Sequence, residues 1–180
     1  MIKKLTKHLI LFAMVCGPLT LCATQQPTEQ VVKTAHKPPI LTTTAIIEIY
    51  EADQFKGIVL IERGKAPFGK AIPGGKVEYG ETVENAVRRE MMEEVNLELD
   101  DLKQFHVYSD PTRDFRHHSV EVAHIAKAYR EPAAGDDAAK AFVVKLTDIP
   151  WDQLAFDHAQ VLKDYIDWRN GNFSQMMPKP

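Results

Sequence analysis

The stretch from Gly75 to Leu97, GKVEYGETVENAVRREMMEEVNL, decides how the rest of the chain is interpreted. Pro73 and the paired glycines that precede it are typical of a tight loop rather than of a regular element. From Glu81 onward the spacing becomes helical, because apolar residues recur at every fourth position. These residues are Val87, Met91 and Val95. The segment therefore predicts a glycine loop followed by an amphipathic helix.

Three carboxylates lie beside that apolar stripe. Glu90 and Glu94 are four positions apart and Glu93 is three from Glu90, so all three share one helix face. We expect Arg88 and Arg89 to point to other sectors of the helix and to leave this repulsion unrelieved. A hard divalent cation would relieve it, because Mg²⁺ prefers carboxylate oxygens and keeps waters and substrate phosphates as its other ligands. The alternative is an ordinary solvated acidic face.

The complete pattern resembles the Nudix box, G-x5-E-x7-R-E-U-x-E-E-x-G-U, in which U is an aliphatic residue. The residues that match it are Gly75, Glu81, Arg89, Glu90, Met91, Glu93, Glu94 and Leu97. One position departs, since Asn96 stands where the box has its last glycine. In the box that glycine stands where the helix ends and a positive φ is required, and Asn is the commonest other residue in that conformation. We therefore expect the loop to survive at a small cost.

Composition indicates one globular domain around this motif. The chain has 180 residues, of which 44% are hydrophobic and 26% charged, with a formal net charge of -3. This weak negative charge gives no electrostatic case for a nucleic acid polymer as partner. We predict a flexible linker over 24–40, a catalytic domain over 41–170 and a loose tail over 171–180.

Residues 1–23 have the layout of a secretory signal peptide, with a basic head, an apolar run and Ala23 as the small residue for cleavage. The run is too short for a comfortable membrane span. We expect an exported protein, periplasmic or secreted, with no membrane contact after cleavage. The alternatives are an uncleaved membrane anchor and a lipid-modified Cys22. Because Cys16 and Cys22 both lie in this segment, the cleaved protein would have no thiol nucleophile, disulfide or Cys-ligated zinc site.

Strand and helix patterns flank the motif. We predict strands over 42–50, 57–62, 102–109, 119–130 and 141–146, and a final helix from Pro150 to about Arg169. This succession fits an α/β sandwich with a mixed sheet. The resemblance implies the same fold, the Nudix-type α/β/α sandwich, with the motif helix on one side of the sheet.

Segments downstream of the box resemble Nudix proteins of the ADP-ribose pyrophosphatase type. They are residues 110–114, 134–138 and 154–158, so the likeness extends over roughly residues 43–169. Phe115 and His117 stand where such relatives often have Pro and Gly, and Lys70 stands where many carry an aromatic residue.

The chemistry of phosphoanhydride cleavage assigns roles to the carboxylates. Water attacks phosphorus while negative charge builds on the phosphate oxygens, so a cation at the site is needed. Mg²⁺, with Mn²⁺ as a substitute, held by Glu90, Glu93 and Glu94 would polarise the phosphates and lower the pKa of bound water. The proton acceptor is either Glu90 or another carboxylate, with Asp137 and Glu121 as candidates.

Other residues are candidates for binding substrate. Gly74 and Gly75 let the backbone approach metal and phosphates closely. Arg113 and Arg116 could clamp a diphosphate through bidentate contacts, the alternative being a solvated loop. Phe68 either stacks on a base or packs in the core.

Three further residues are expected to be structural. The resemblance implies that Glu81 and Arg89 tie the glycine loop to the helix by an ion pair. His158 is expected to be a capping or packing residue.

The sequence thus predicts an exported, Mg²⁺-dependent Nudix hydrolase that cleaves the pyrophosphate bond of a nucleoside diphosphate derivative, ADP-ribose first. One alternative is a nucleoside triphosphate or nucleotide-sugar pyrophosphatase. The other is a non-catalytic nucleotide-binding Nudix module, which the presence of every acidic box residue disfavours. Because family members are often dimers, a homodimer is a further expectation.

Overall fold

A seven-stranded mixed sheet forms the centre of the fold. The computed structural model describes residues 37–135 and 138–172. In chain order the strands are β1 (Ile40–Glu51), β2 (Gln54–Arg63), β3 (Lys70–Ala71), β4 (Gly74–Lys76), β5 (Asp100–Tyr108), β6 (Ser119–Ala128) and β7 (Ala138–Val144). The helices are α1 (Val83–Val95) and α2 (His158–Arg169). The predicted leader, nearly all of the predicted linker, Asp137 and most of the predicted tail lie outside the described residues.

The strands are ordered β3-β2-β1-β6-β5, while β4 pairs with β1 and β7 pairs with β2. β1 and β6 are parallel, with Thr44 opposite Ala123, and every other pairing is antiparallel. In β4, Gly75 lies opposite Thr43 of β1. The sheet is therefore mixed, as predicted, and the parallel pair places the start of β6 beside the start of β1.

Each face of the sheet is covered by one helix. Successive side chains of β1 point to opposite faces, so Ile47 packs with Met91 of α1 and Ile46 packs with Tyr165 of α2. Burying each such large apolar side chain contributes about 1.5–3 kcal/mol. Neither helix in the described part of the chain is long and apolar enough to cross a membrane. The predicted α/β/α sandwich is confirmed.

Both ends of α1 are capped by local sequence. Thr82 is the N-cap, and its Oγ1 accepts a hydrogen bond from the N–H of Asn85 at 3.2 Å. At the other end Asn96 is left-handed, with φ 52° and ψ 44°. The expectation that Asn replaces glycine at this position without breaking the loop is confirmed.

The loop after β6 is held against the C-terminal end of α1. The N–H of Ala133 donates to the carbonyl of Val95 at 3.0 Å, and the N–H of Gly135 donates to that of Glu94 at 2.9 Å. A Cβ at Gly135 would collide with the carbonyl oxygen of Glu93. Only glycine allows this approach, which holds the loop against the backbone at the C-terminal end of α1.

Two sequence-based predictions of local structure were wrong. Gly74 and Gly75 belong to strand β4 and not to a loop, because tertiary pairing with β1 supplies backbone partners that local sequence does not reveal. A Cβ at Gly74 would collide with the carbonyl oxygen of Thr43, so glycine is what lets the two strands approach. The last helix begins at His158 and not at Pro150, because a 3₁₀ turn and Phe156, with φ 56°, precede it.

Candidate active site

A cleft of about 1030 Å³ opens beside β4 and the glutamate face of α1. It brings together most of the residues proposed from the sequence, namely Gly74, Gly75, Arg89, Glu90, Glu93, Glu94, Arg113 and Arg116. Phe68 does not line it and is 74% exposed. Asp137 lies outside the described residues, so its role as a base stays a prediction.

Arg89 is the centre of the ionic network on this face of α1. Its Nη2 donates to Glu81 Oε1 at 2.7 Å and its Nε to Glu81 Oε2 at 3.3 Å, so the ion pair expected from the resemblance is present. Its Nη2 also donates to the carbonyl of Lys76 at 3.0 Å. The hydrogen bond from Arg89 lowers the pKa of Glu81, and Glu81 in turn raises the pKa of Arg89. The pair ties the segment before α1 to the helix.

The same guanidinium also reaches two of the metal-ligand candidates. Its Nη1 donates to Glu90 Oε1 at 2.9 Å and to Glu93 Oε2 at 3.0 Å. The expectation that Arg89 points to another sector of the helix was therefore wrong, because the i,i+4 spacing of Arg89 and Glu93 makes them neighbours. Arg88 does turn away, with its Nη1 2.6 Å from the carbonyl oxygen of Leu99.

The three glutamates differ in their surroundings. Burial raises the pKa of Glu90, while the hydrogen bond from Arg89 opposes this effect. Glu94 Oε2 accepts a hydrogen bond from the N–H of Gly74 at 2.8 Å. The side chain of Glu93 is 53% exposed. A partly buried carboxyl group whose pKa is raised is better suited than an exposed one to accept a proton near neutral pH.

The donor set fits a hard divalent cation. The carboxylate of Glu90 occupies the space that a Cβ at Gly75 would take, so the β4 backbone and this carboxylate meet directly. Three carboxylates facing one cleft supply the oxygen ligands that Mg²⁺ prefers. Within the described ranges no three acidic, histidine or cysteine side chains are already grouped as a metal site. Arg89 and the N–H of Gly74 instead hold these carboxylates in place.

Arg113 is buried, with its side chain 4% exposed. Its Nη2 donates to Glu121 Oε2 at 2.8 Å and to Asp157 Oδ1 at 2.7 Å. Its Nε donates to Asp157 Oδ2 at 3.0 Å and its Nη1 to Ser119 Oγ at 3.1 Å. These contacts join the loop before β6 to the start of α2. A role for Arg113 in binding diphosphate stays a prediction, because its guanidinium already has protein acceptors.

Arg116 is more accessible, with its side chain 38% exposed. Asp114 holds its guanidinium through contacts of 2.9 and 2.7 Å, and this pairing raises the pKa of Arg116. The guanidinium carbons of Arg116 and Arg63 lie 5.0 and 4.8 Å from the centre of the Phe156 ring. Arg63 and Phe156 line the cleft but were not predicted as site residues. The likeness over residues 154–158 was the signal that pointed to Phe156.

Two further polar residues form the inner wall of the cleft. Glu121 lies in β6 and is 3% exposed, and His158 is the first residue of α2 and is 4% exposed. Glu121 Oε1 accepts a hydrogen bond from Thr44 Oγ1 at 2.8 Å. His158 Nδ1 accepts one from the N–H of Ile72 at 2.9 Å. The prediction that His158 caps or packs is incomplete, because its ring also faces the cleft.

Comparisons with known proteins place the sequence and the fold in one family. A family model described as NUDIX domain matches residues 40–168. The ADP-ribose pyrophosphatase of Methanocaldococcus jannaschii is 45% identical over 117 residues, covering 63% of this chain and 68% of that protein.

Solved structures with the same fold include the NUDIX domain of Shewanella oneidensis NrtR complexed with ADP ribose. It has a TM-score of 0.68 and 26% identity, and the alignment covers 76% of this chain and 92% of that one. A MutT/nudix family protein from Enterococcus faecalis has a TM-score of 0.65 and 29% identity. That alignment covers 75% of this chain and 64% of the E. faecalis chain, slightly under two thirds of its length.

Proposed function

This chain belongs to the Nudix family of pyrophosphohydrolases, and we propose that it hydrolyses the pyrophosphate bond of a nucleoside diphosphate derivative, with ADP-ribose as the preferred substrate. The observation that carries the proposal is the meeting of Gly75 and the glutamates of α1 at one large cleft. A cleft of about 1030 Å³ is large enough for a dinucleotide-sized ligand. The 45% identical relative named ADP-ribose pyrophosphatase supports this choice of substrate.

Nudix hydrolases generally use a divalent metal ion, and we infer that Glu90, Glu93 and Glu94 hold Mg²⁺ here. The bound ion supplies positive charge where negative charge develops on the phosphate oxygens. Gly74 and Gly75 allow the backbone of β4 to lie directly against the phosphates. Arg116, fixed by Asp114, offers further positive charge from the opposite loop.

The remaining chemistry is proton transfer and positioning. Glu90 is the proton acceptor that we favour, because its partly buried carboxylate faces the cleft beside the proposed metal ion. Arg89 keeps this carboxylate oriented through the 2.9 Å contact from Nη1. The N–H of Gly74 orients Glu94 in the same way. Orientation of this kind supplies a large part of the acceleration in phosphoryl transfer.

The test is a substrate panel assayed with and without Mg²⁺. It contains ADP-ribose, a dinucleoside diphosphate, a nucleotide sugar and a nucleoside triphosphate. We expect Mg²⁺-dependent release of AMP from ADP-ribose with the highest kcat/KM of the panel. A higher kcat/KM for a nucleoside triphosphate or a nucleotide sugar would contradict ADP-ribose as the preferred substrate. Calorimetric binding without any product would indicate a nucleotide-binding module instead.

We further propose that the protein is exported. The basic head, apolar run and Ala23 within residues 1–23 support this proposal. N-terminal sequencing of the protein recovered from fractionated cells tests it, and we expect the first residue to be Thr24. Recovery of intact residues 1–23 in the membrane fraction would favour the anchored alternative.

A further inference from the structure

His158 and Glu121 form a polar pair at the inner wall of the cleft. His158 is 4% exposed and Glu121 is 3% exposed, and both line the cleft. Each side chain has protein partners, and His158 Nε2 and Glu121 Oε2 face each other across a gap of 3.9 Å.

The hydrogen bond from Ile72 shows which ring nitrogen of His158 carries the proton. The N–H of Ile72 donates to Nδ1 at 2.9 Å, so Nδ1 is an acceptor and carries no proton. Burial lowers the pKa of His158 to about 4, so the ring is neutral at neutral pH. Its proton therefore lies on Nε2, which makes Nε2 a hydrogen-bond donor.

Glu121 supplies the matching acceptor. Its Oε2 lies 3.9 Å from His158 Nε2, a separation too long for a direct hydrogen bond. An oxygen atom placed between them can lie about 2.8 Å from both. Thr44 donates to Glu121 Oε1 and Arg113 donates to Oε2, so the carboxylate is held in one orientation. Oε2 still has acceptor capacity, since a carboxylate oxygen accepts more than one hydrogen bond.

The backbone around the pair is strained but well supported. Phe156 has φ 56°, a conformation that bulky side chains rarely adopt, and strain of this kind clusters at functional sites. The Phe156 ring lies 5.3 Å from the His158 ring, measured between centroids. Asp157 is held by Arg113 through two hydrogen bonds. The first residue of α2 is therefore fixed relative to β6.

The space between His158 Nε2 and Glu121 Oε2 suits one class of ligand group. A hydroxyl both accepts from an N–H and donates to a carboxylate. A phosphate or a carboxylate would face the negative charge of Glu121, and an apolar group would leave the Nε2 donor of His158 without an acceptor. We propose that His158 and Glu121 form a subsite that binds one hydroxyl of the substrate's sugar, and this rests on the proposed function of the same cleft.

The experiment pairs two His158 variants with altered substrates. His158→Asn retains an acceptor near the Nδ1 position for Ile72 and removes the Nε2 donor. His158→Gln retains a donor near the Nε2 position and loses that acceptor. Each is assayed with ADP-ribose and with analogues that each lack one sugar hydroxyl. Thermal unfolding of both variants shows whether they are folded.

We expect His158→Asn to lower kcat/KM for ADP-ribose by about 10- to 100-fold. One deoxy analogue should lose a similar factor with the wild-type protein and lose nothing further with His158→Asn, because both changes remove the same hydrogen bond. His158→Gln should retain the preference for the hydroxyl. An equal loss on every substrate, or none on any, would show that the ring is only structural and overturn the subsite.

A second measurement works without turnover. Nitrogen-15 NMR of the labelled His158 ring, assigned by its loss in His158→Asn, is recorded without metal while ADP-ribose or ribose 5-phosphate is added. We expect the Nε2 resonance to shift with the sugar ligands and not with the relevant deoxy analogue. If this shift is seen but the Mg²⁺-dependent assay shows no hydrolysis of any substrate, the proposed function alone is overturned. Hydrolysis without the NMR shift and without analogue-specific loss would overturn the subsite alone. Absence of both hydrolysis and the NMR shift would overturn the proposed function and the subsite together.

Discussion

The guanidinium of Arg89 lies 3.0 Å from the carboxylate of Glu93, four residues further along α1. The same guanidinium contacts Glu90 and Glu81, so a single arginine is the counter-ion for three carboxylates. Repulsion on this face of α1 is thus partly relieved by the chain itself. Arg89 and the N–H of Gly74 hold the glutamates facing the cleft, an arrangement that suits the proposed cation.

Replacement of Arg89 by Lys should lower both stability and activity. An ammonium cannot reproduce the fork of contacts to Glu81, Glu90 and the carbonyl of Lys76. We expect the free energy of unfolding to fall by about 1–3 kcal/mol, measured in urea. Lys140→Ala is the control, because its contact with Glu62 at 3.5 Å is exposed and should contribute under about 1 kcal/mol. Equal stability of the two variants would contradict the role given to Arg89.

Glu94→Gln should leave the fold intact and lower kcat by about 100-fold or more, because it removes one charged oxygen ligand. Mg²⁺ binding, measured by calorimetry, should weaken in parallel. The matched control is Glu98→Gln, an exposed glutamate that follows α1 and does not line the cleft. Near-wild-type turnover of Glu94→Gln would mean that the metal ligands are placed wrongly.

Two glycine substitutions should separate activity from stability. In Gly75→Ala the new Cβ would meet the end of the Glu90 side chain, which can swing away. Activity should therefore fall, while the free energy of unfolding should fall by under about 1 kcal/mol. In Gly135→Ala the new Cβ would meet the backbone carbonyl of Glu93, and a backbone carbonyl cannot swing away. This change should cost about 1–3 kcal/mol. Urea unfolding and initial rates on both variants check the contrast, and the reverse order would contradict it.

Acid should destabilise the protein partly through His158. Its pKa is lowered from 6.5 to about 4 by burial, so between these values the unfolded chain binds the extra proton. Stability from this group is therefore complete above about pH 6.5 and is lost as the pH falls towards 4, by about 3 kcal/mol. Unfolding measured from pH 7 to 4.5 should show a shallower pH dependence in His158→Asn than in wild type. Parallel curves would exclude this contribution.

Arg113 and Arg116 should respond differently to truncation. Arg113→Met leaves Glu121 and Asp157 without their buried counter-ion and should cost about 3–5 kcal/mol. Arg116→Met removes an accessible charge at the cleft and should mainly raise KM for ADP-ribose. Steady-state kinetics and urea unfolding on both variants test this difference. A raised KM with unchanged stability in Arg113→Met would support its role as a diphosphate ligand.

Local features were predictable where neighbouring residues alone determine them. The periodicity of Val87, Met91 and Val95 predicted α1, and the tolerance of Asn for positive φ predicted the end of that helix at Asn96. The paired glycines were recognised as special but were assigned to a loop. Their pairing with β1 depends on residues some thirty positions away, which no local pattern encodes.

The sequence by itself therefore determined the Nudix-type helix, its acidic face and its C-terminal end at Asn96, because these depend on spacings within a few turns of one segment. Only the tertiary structure decided that Glu121 meets His158 at the cleft wall, since the parallel pairing of β1 with β6 and the packing of α2 bring them together. It also decided which way each long side chain turns. The direction of Arg89 and Arg113 follows from the positions of all their acceptors, several of which lie on other elements of the fold.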